Sequence, residues 1–283
     1  MATKTKKQSK TKSYKPQEPS PLKFKKAEKQ DPKVHILKEG IVCDTEPRGF
    51  ETARARSPFE IVVDASEGFV PLWEKNTTLR WRFRDQSMKF FDNPTKAKTE
   101  IRKLLAEAIL DWRDAAPVKF AERDDAWDFE IVMRKADDCD INGCVLASAF
   151  FPDAGRHKLT LYPQMFEQTR DEQVETLTHE IGHVFGLRHF FAIVKEKAWP
   201  AEIFGKHDKF SIMNYGNLSK LTSFDREDLK RLYKLAWAGE LTEINGTPIR
   251  FVKAFHTSGA GPESLIAVSQ IQPASQPQSR WPG

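Results

Sequence analysis

Long apolar runs are absent from this 283-residue chain: no stretch approaches the roughly 18 residues that a membrane-spanning helix needs, so a soluble protein is expected. The first twelve residues are polar and basic throughout and lack the apolar segment of a secretory signal peptide, which leaves classical export without support. Cysteine is scarce. Its three copies, Cys43, Cys139 and Cys144, cannot all pair within one chain, and a small loop disulfide between the last two is geometrically conceivable. No internal repeat is apparent, and the compartment stays open on this evidence.

What is present is unevenly distributed. The formal charge is +5, yet residues 1–38 hold 12 Lys against 3 acidic residues, so the remainder of the chain is slightly acidic. Lysine-rich arms of this kind are mostly solvated, and specific nucleic-acid binding is not expected. Residues 1–33 carry almost no large hydrophobes and read as a basic disordered tail; residues 34–76 read as a leader or propeptide-like segment; residues 239–283 read as a low-complexity tail with one short strand at most, near 249–255.

Between these lies the pattern of an α+β domain. Leu79, Trp81 and Phe83 alternate with Arg80 and Arg82, as in a half-buried strand. Asn93 is a plausible helix N-cap with Pro94 at the first helical position, and Ile101, Leu104, Leu105, Ala108, Ile109 and Trp112 recur at three- and four-residue steps before Pro117. Short β-rich runs follow at 118–120, 129–133, 145–151 and 158–162. A second helix is expected over 171–185 with Val174, Leu177, Ile181, Val184 and Phe185 inward, and a last one from Ser223 with Leu229, Leu232 and Tyr233 inward.

The second helix carries the chemistry. His179-Glu180-Ile181-Gly182-His183 sets two imidazoles one helical turn apart, both able to reach a single ion. Gly186 then stops the helix and turns the backbone, and His189 reaches back as a third ligand. Three neutral nitrogens suit zinc, with the fourth position left to water; calcium or magnesium would call for carboxylates. Glu180 is placed to take the proton from the zinc-bound water as it attacks a carbonyl. His35, His157, His207 and His256 stand alone and are expected at the surface.

The extended motif from His179 to His189, followed by Ser211-Ile212-Met213-Asn214-Tyr215-Gly216, resembles the metzincin metalloproteases, with Met213 marking the Met-turn. Residues 145–152 and the spacing of Leu221, Asp225, Leu229, Leu232 and Tyr233 are similar to the matrixin branch, so that the resemblance covers roughly 77–238. It implies a metzincin fold: a twisted, mostly parallel sheet with an antiparallel edge strand, an active-site helix, the Met-turn and a C-terminal helix. It also implies a zinc-dependent endopeptidase, a protein or peptide substrate and a monomer. Tyr215 stands two residues after Met213, as in the astacin and serralysin branches, where the phenol stabilises the transition-state oxyanion; packing on the turn is the alternative.

Departures qualify the resemblance. Phe190 follows His189 instead of an acidic residue or Ser, and the histidines of a structural zinc are missing, so one zinc is expected. Asp137, Asp138, Asp140 and Asn142 lack the spacing of a calcium loop and read as solvated. In such families a leader thiolate can block the zinc, but Val42-Cys43-Asp44-Thr45 does not match the matrixin sequence for this, and Cys43 is expected to be an ordinary thiol. Two rivals remain: an intracellular metalloprotease targeted by its basic tail, and a catalytically weak zinc-bound peptide-binding module.

Overall fold

The structure is a computed structural model that describes residues 36–38, 40–43, 61–65, 68–140, 143–189, 201–204, 211–213 and 219–258. In chain order the strands and helices are β1 (Ile36–Lys38), β2 (Gly40–Val42), β3 (Ile61–Asp64), β4 (Val70–Trp73), β5 (Thr78–Phe83), α1 (Asp85–Met88), α2 (Pro94–Asp111), β6 (Lys119–Glu122) and β7 (Phe129–Met133). Then come β8 (Asp138–Asp140), β9 (Gly143–Val145), β10 (Ala147–Ser148), β11 (His157–Leu161), α3 (Arg170–Val184), β12 (Leu187–Arg188), β13 (Ala201–Phe204), α4 (Ser223–Ala238), β14 (Glu243–Ile244) and β15 (Thr247–Val252).

The main sheet has the order β10-β11-β7-β5-β6. Its β11–β7, β7–β5 and β5–β6 pairs are parallel, and only the edge pair β10–β11 is antiparallel. The period-two pattern of β5 is realised: Leu79, Trp81 and Phe83 are buried while Thr78, Arg80 and Arg82 are half-buried. All five residues of β7 are buried, as befits the centre of a sheet covered on both faces. Its one charge, Glu130, is compensated by Arg82 at 2.9 Å and Arg84 at 2.6 Å, since an unpaired carboxylate there would be costly.

The helices begin where their caps dictate. Asn93 Oδ1 accepts the Lys96 backbone N–H at 2.9 Å and Pro94 opens α2, whose Ile101, Leu104, Leu105 and Ala108 are buried. A capping box between Thr169 and Glu172 starts α3, and one between Thr222 and Asp225 starts α4. Each buried Leu or Ile contributes about 1.5–3 kcal/mol by transfer from water, so the α2–α3 layer on the sheet is a large share of the core.

Both flanks of the domain contribute to this core. Val63, Val70, Leu72 and Trp73, all within the expected leader, are 0–1% exposed. Trp73 Nε1 donates to the Val184 carbonyl at 2.7 Å, its own carbonyl accepts from Trp237 Nε1 at 2.9 Å, and its N–H donates to Tyr233 Oη at 3.3 Å. Burial pushes the Tyr233 phenol well above its ordinary pKa, which keeps it a neutral donor to the Phe185 carbonyl. On the other flank, β14 and β15 form a hairpin across Asn245 and Gly246, both with positive φ, and β15 runs parallel to β4. Among the described residues, no helix is long and apolar enough to cross a membrane.

Two lone histidines depart from the surface positions expected of them. The His157 ring stacks on Phe150 at 4.4 Å with its side chain 8% exposed, and His256 is held by buried Asp128. His35 and His207 lie outside the described residues.

Candidate metal centre

Helical spacing turns His179 and His183 to one side of α3, and Gly186, with φ of +93°, ends the helix and returns the chain so that His189 meets them. The three Nε2 atoms converge: His179 to His189 at 2.9 Å and His179 to His183 at 3.2 Å. His179 Nδ1 faces the Ile212 carbonyl and His183 Nδ1 the Leu187 carbonyl, both at 2.8 Å. A carbonyl only accepts, so each Nδ1 carries the proton and each Nε2 turns a lone pair inward. Lone pairs facing one another at 3.2 Å repel unless a cation lies between them. A tetrahedral ion with metal–nitrogen bonds of 2.0–2.1 Å would separate its ligands by roughly 3.3 Å, close to what is seen.

The fourth corner is a thiol. Cys43 Sγ lies 3.5 Å from His183 Nε2 and 3.6 Å from Glu180 Oε1, and the ligand atoms of Cys43, His179, His183 and His189 all fall within 4.8 Å of one another. This corrects the expectation of an ordinary leader thiol. Three imidazoles and a sulfur form a donor set that fits zinc and contains no hard oxygen ligand. Burial, then the neighbouring imidazoles, hold the His183 pKa well below its usual value, as a ligand that must stay deprotonated requires.

Cys43 follows directly on β2, and β2 is laid parallel on β9 with Ile41 opposite Cys144 and Val42 opposite Val145. β9 in turn is fastened to β8 by the Cys139–Cys144 disulfide. The segment that carries Cys43 is thereby paired with 143–145, immediately before the edge strand β10 of the main sheet. In the neighbouring acidic loop, Asp137 accepts the Gln164 N–H, and burial raises its carboxyl pKa; Asn142 lies outside the described residues.

Beneath the histidines, Met213 is 4% exposed, and its turn is set by the Met213 N–H donating to Ser211 Oγ at 3.1 Å. Gly182 makes room for it: a Cβ there would stand 2.5 Å from Met213 Sδ. Asp225 ties the turn to α4, accepting from the Ser211 hydroxyl and the Ile212 N–H as well as from Thr222, while burial raises its carboxyl pKa. The sequence reading has Asp225 only as a family spacing; the Thr-x-x-Asp pattern from Thr222 is the signal for its capping half. Tyr215 lies outside the described residues.

Residues 72–198 match the matrixin family of M10 peptidases. No curated protein matches the chain in sequence. Among solved structures, that described as "Structure of myroilysin" is 13% identical with a TM-score of 0.39, the match covering 61% of this chain and 98% of that one. Over these residues the chain resembles the matrixins, a family of metalloproteases.

Proposed function

We propose that the chain is a zinc-dependent metalloendopeptidase, held latent by its own residues 36–43 in the arrangement described. The observation that carries this reading is the convergence of three imidazole Nε2 atoms beside a buried carboxylate, Glu180, which is 1% exposed. His179, His183 and His189 are the proposed permanent ligands, and Cys43 the removable one. Zinc, when bound, supplies the Lewis acidity that makes water and a scissile carbonyl reactive at neutral pH.

Glu180 is the general base in this scheme. It follows a ligand without pointing its carboxylate to the same duty, and one oxygen faces the corner that Cys43 now fills. With the thiol gone, that oxygen accepts a proton from the attacking water and returns it to the departing amine, at a cost set by how close its pKa lies to the working pH. Tyr215 is proposed as a donor to the developing oxyanion. The edge strand over 145–150 offers backbone groups with which an extended peptide pairs, giving affinity that does not depend on sequence and favouring cleavage within unfolded or loop segments. Strand β2 pairs with 143–145 directly before that edge, which brings the Cys43 thiol to the corner where the water would stand.

A peptide-library digest tests the reading, run on the full chain and on Cys43→Ala with and without chelator. Chelator-sensitive cleavage at internal peptide positions, stronger in the variant, is the expected outcome. Absence of cleavage by both zinc-loaded proteins would overturn it.

A further inference from the structure

A concavity sharing no residue with the metal centre lies where the β4–β5 turn, the adjoining parts of β5 and β6 and the segment after β15 border an open hollow of about 490 Å³. Lys75, Arg80, Arg123 and Lys253 line it, with Glu74 as its one carboxylate. Glu74 is 3.9 Å from Lys253, so its charge is already answered. Lys75, Arg80 and Arg123 have no ion-pair partner among the described residues. Three uncompensated cations around one concavity repel one another, and an anionic guest relieves that repulsion.

The wall is built around a buried carboxylate. Asp128, 2% exposed, accepts the Arg80 N–H at 2.6 Å, the His256 N–H at 2.9 Å and His256 Nδ1 at 2.9 Å. Its acceptor capacity is spent on holding β5 and the segment after β15 together. His256 Nε2 is left as the ring nitrogen not engaged by Asp128, in a side chain that lines the cavity. Lys253 and His256 come from outside the part of the chain that matches the matrixin family, so the cavity is completed by residues beyond that part.

We propose that this cavity binds an acidic peptide segment, with two or more side-chain carboxylates or phosphoryl groups reaching Arg80, Arg123 and Lys75. Its volume exceeds what a single oxyanion fills, and its lining of guanidinium, ammonium, hydroxyl and imidazole groups suits a polar ligand rather than an apolar one. As an attachment point for substrates at a distance from the scissile bond, it rests on the peptidase reading above; as an anion site it does not.

The test is direct binding to the zinc-loaded full chain, read by fluorescence anisotropy with a labelled peptide bearing four consecutive Glu. Its Gln counterpart, its phosphoserine counterpart and inorganic phosphate serve as separate arms. The Glu and phosphoserine peptides bind, the Gln peptide does not, and the double charge reversal Lys75→Glu/Arg123→Glu weakens binding by about tenfold or more, whereas Lys96→Glu on the exposed start of α2 changes nothing. Both reversed side chains are exposed, so the fold is retained. Affinity unchanged by the double reversal would assign binding to the basic N-terminal tail and overturn the proposal, as would binding of inorganic phosphate alone with no gain from a peptide. Because the readout is binding, a chain that holds the peptide yet cleaves nothing leaves the cavity standing while the peptidase reading falls.

Discussion

The Cys43 thiol and the His183 imidazole, 140 residues apart in sequence, meet at 3.5 Å in the interior. Cys43 is 2% exposed and His183 is fully buried, so neither is satisfied by water. A sulfur delivered by β2 into a ring of imidazole lone pairs completes a four-donor site, and the same sulfur stands where Glu180 would meet a water. Ligation and obstruction are thus one contact.

Cys43→Ala should keep the metal, since three imidazoles remain, and raise kcat/KM on peptides by at least about tenfold by enlarging the open fraction. Assays of equal zinc-loaded protein check this. Unchanged turnover would mean that Cys43 does not limit access.

Glu180→Gln should hold zinc at the parent stoichiometry and lose peptidase activity by about 10²–10⁴-fold in the Cys43→Ala background, because the amide keeps the volume and removes the base. Zinc content and kcat, measured on the same preparation, must separate. Turnover within a few-fold of the parent contradicts the role given to Glu180.

Gly182→Ala adds a Cβ 2.5 Å from Met213 Sδ and 3.2 Å from Trp112 Cζ2. Overpacking of this kind costs about 1–3 kcal/mol, against which the gain in helix propensity of up to about 1 kcal/mol is smaller. Thermal unfolding should show a loss of several degrees, and the metal affinity should fall because Met213 adjoins Ile212, whose carbonyl orients His179. A variant as stable as the parent, with unaltered zinc affinity, would show that the methionine shelf yields freely.

How much of this was legible beforehand depends on the range of the interactions. Asn93-Pro94 and the apolar steps from Ile101 define α2 because capping and amphipathicity are local, and Leu79, Trp81 and Phe83 do the same for β5. The histidines of α3 converge for a reason written in five residues. Val70, Leu72 and Trp73 escaped the sequence reading because a strand buried on both faces does not alternate. Asn245-Gly246 is a strong hairpin signal, passed over because polar composition around it suggested a tail. Cys43 and His256 are illegible in the sequence for one physical reason: their partners, His183 and Asp128, are 140 and 128 residues away, and no local pattern encodes such a meeting.

Asp225→Ala should cost about 2–4 kcal/mol, combining a lost cap with donors left bare at Ser211 and Ile212. Phe224→Ala, at a side chain 46% exposed, should stay within about 0.5 kcal/mol. Denaturant unfolding of the two variants compares them; equal midpoints would remove Asp225 from the account of how the methionine turn is fixed.

One zinc, held by His179, His183 and His189 and capped by Cys43, is expected in the full chain. X-ray absorption at the zinc edge of the full chain tests it most directly, because zinc–sulfur bonds near 2.3 Å and zinc–nitrogen bonds near 2.0–2.1 Å are resolved from each other. The account predicts one sulfur and three nitrogens per zinc in the parent, and only nitrogen or oxygen neighbours in Cys43→Ala. A parent spectrum without sulfur, or a sulfur that survives in Cys43→Ala, would contradict it.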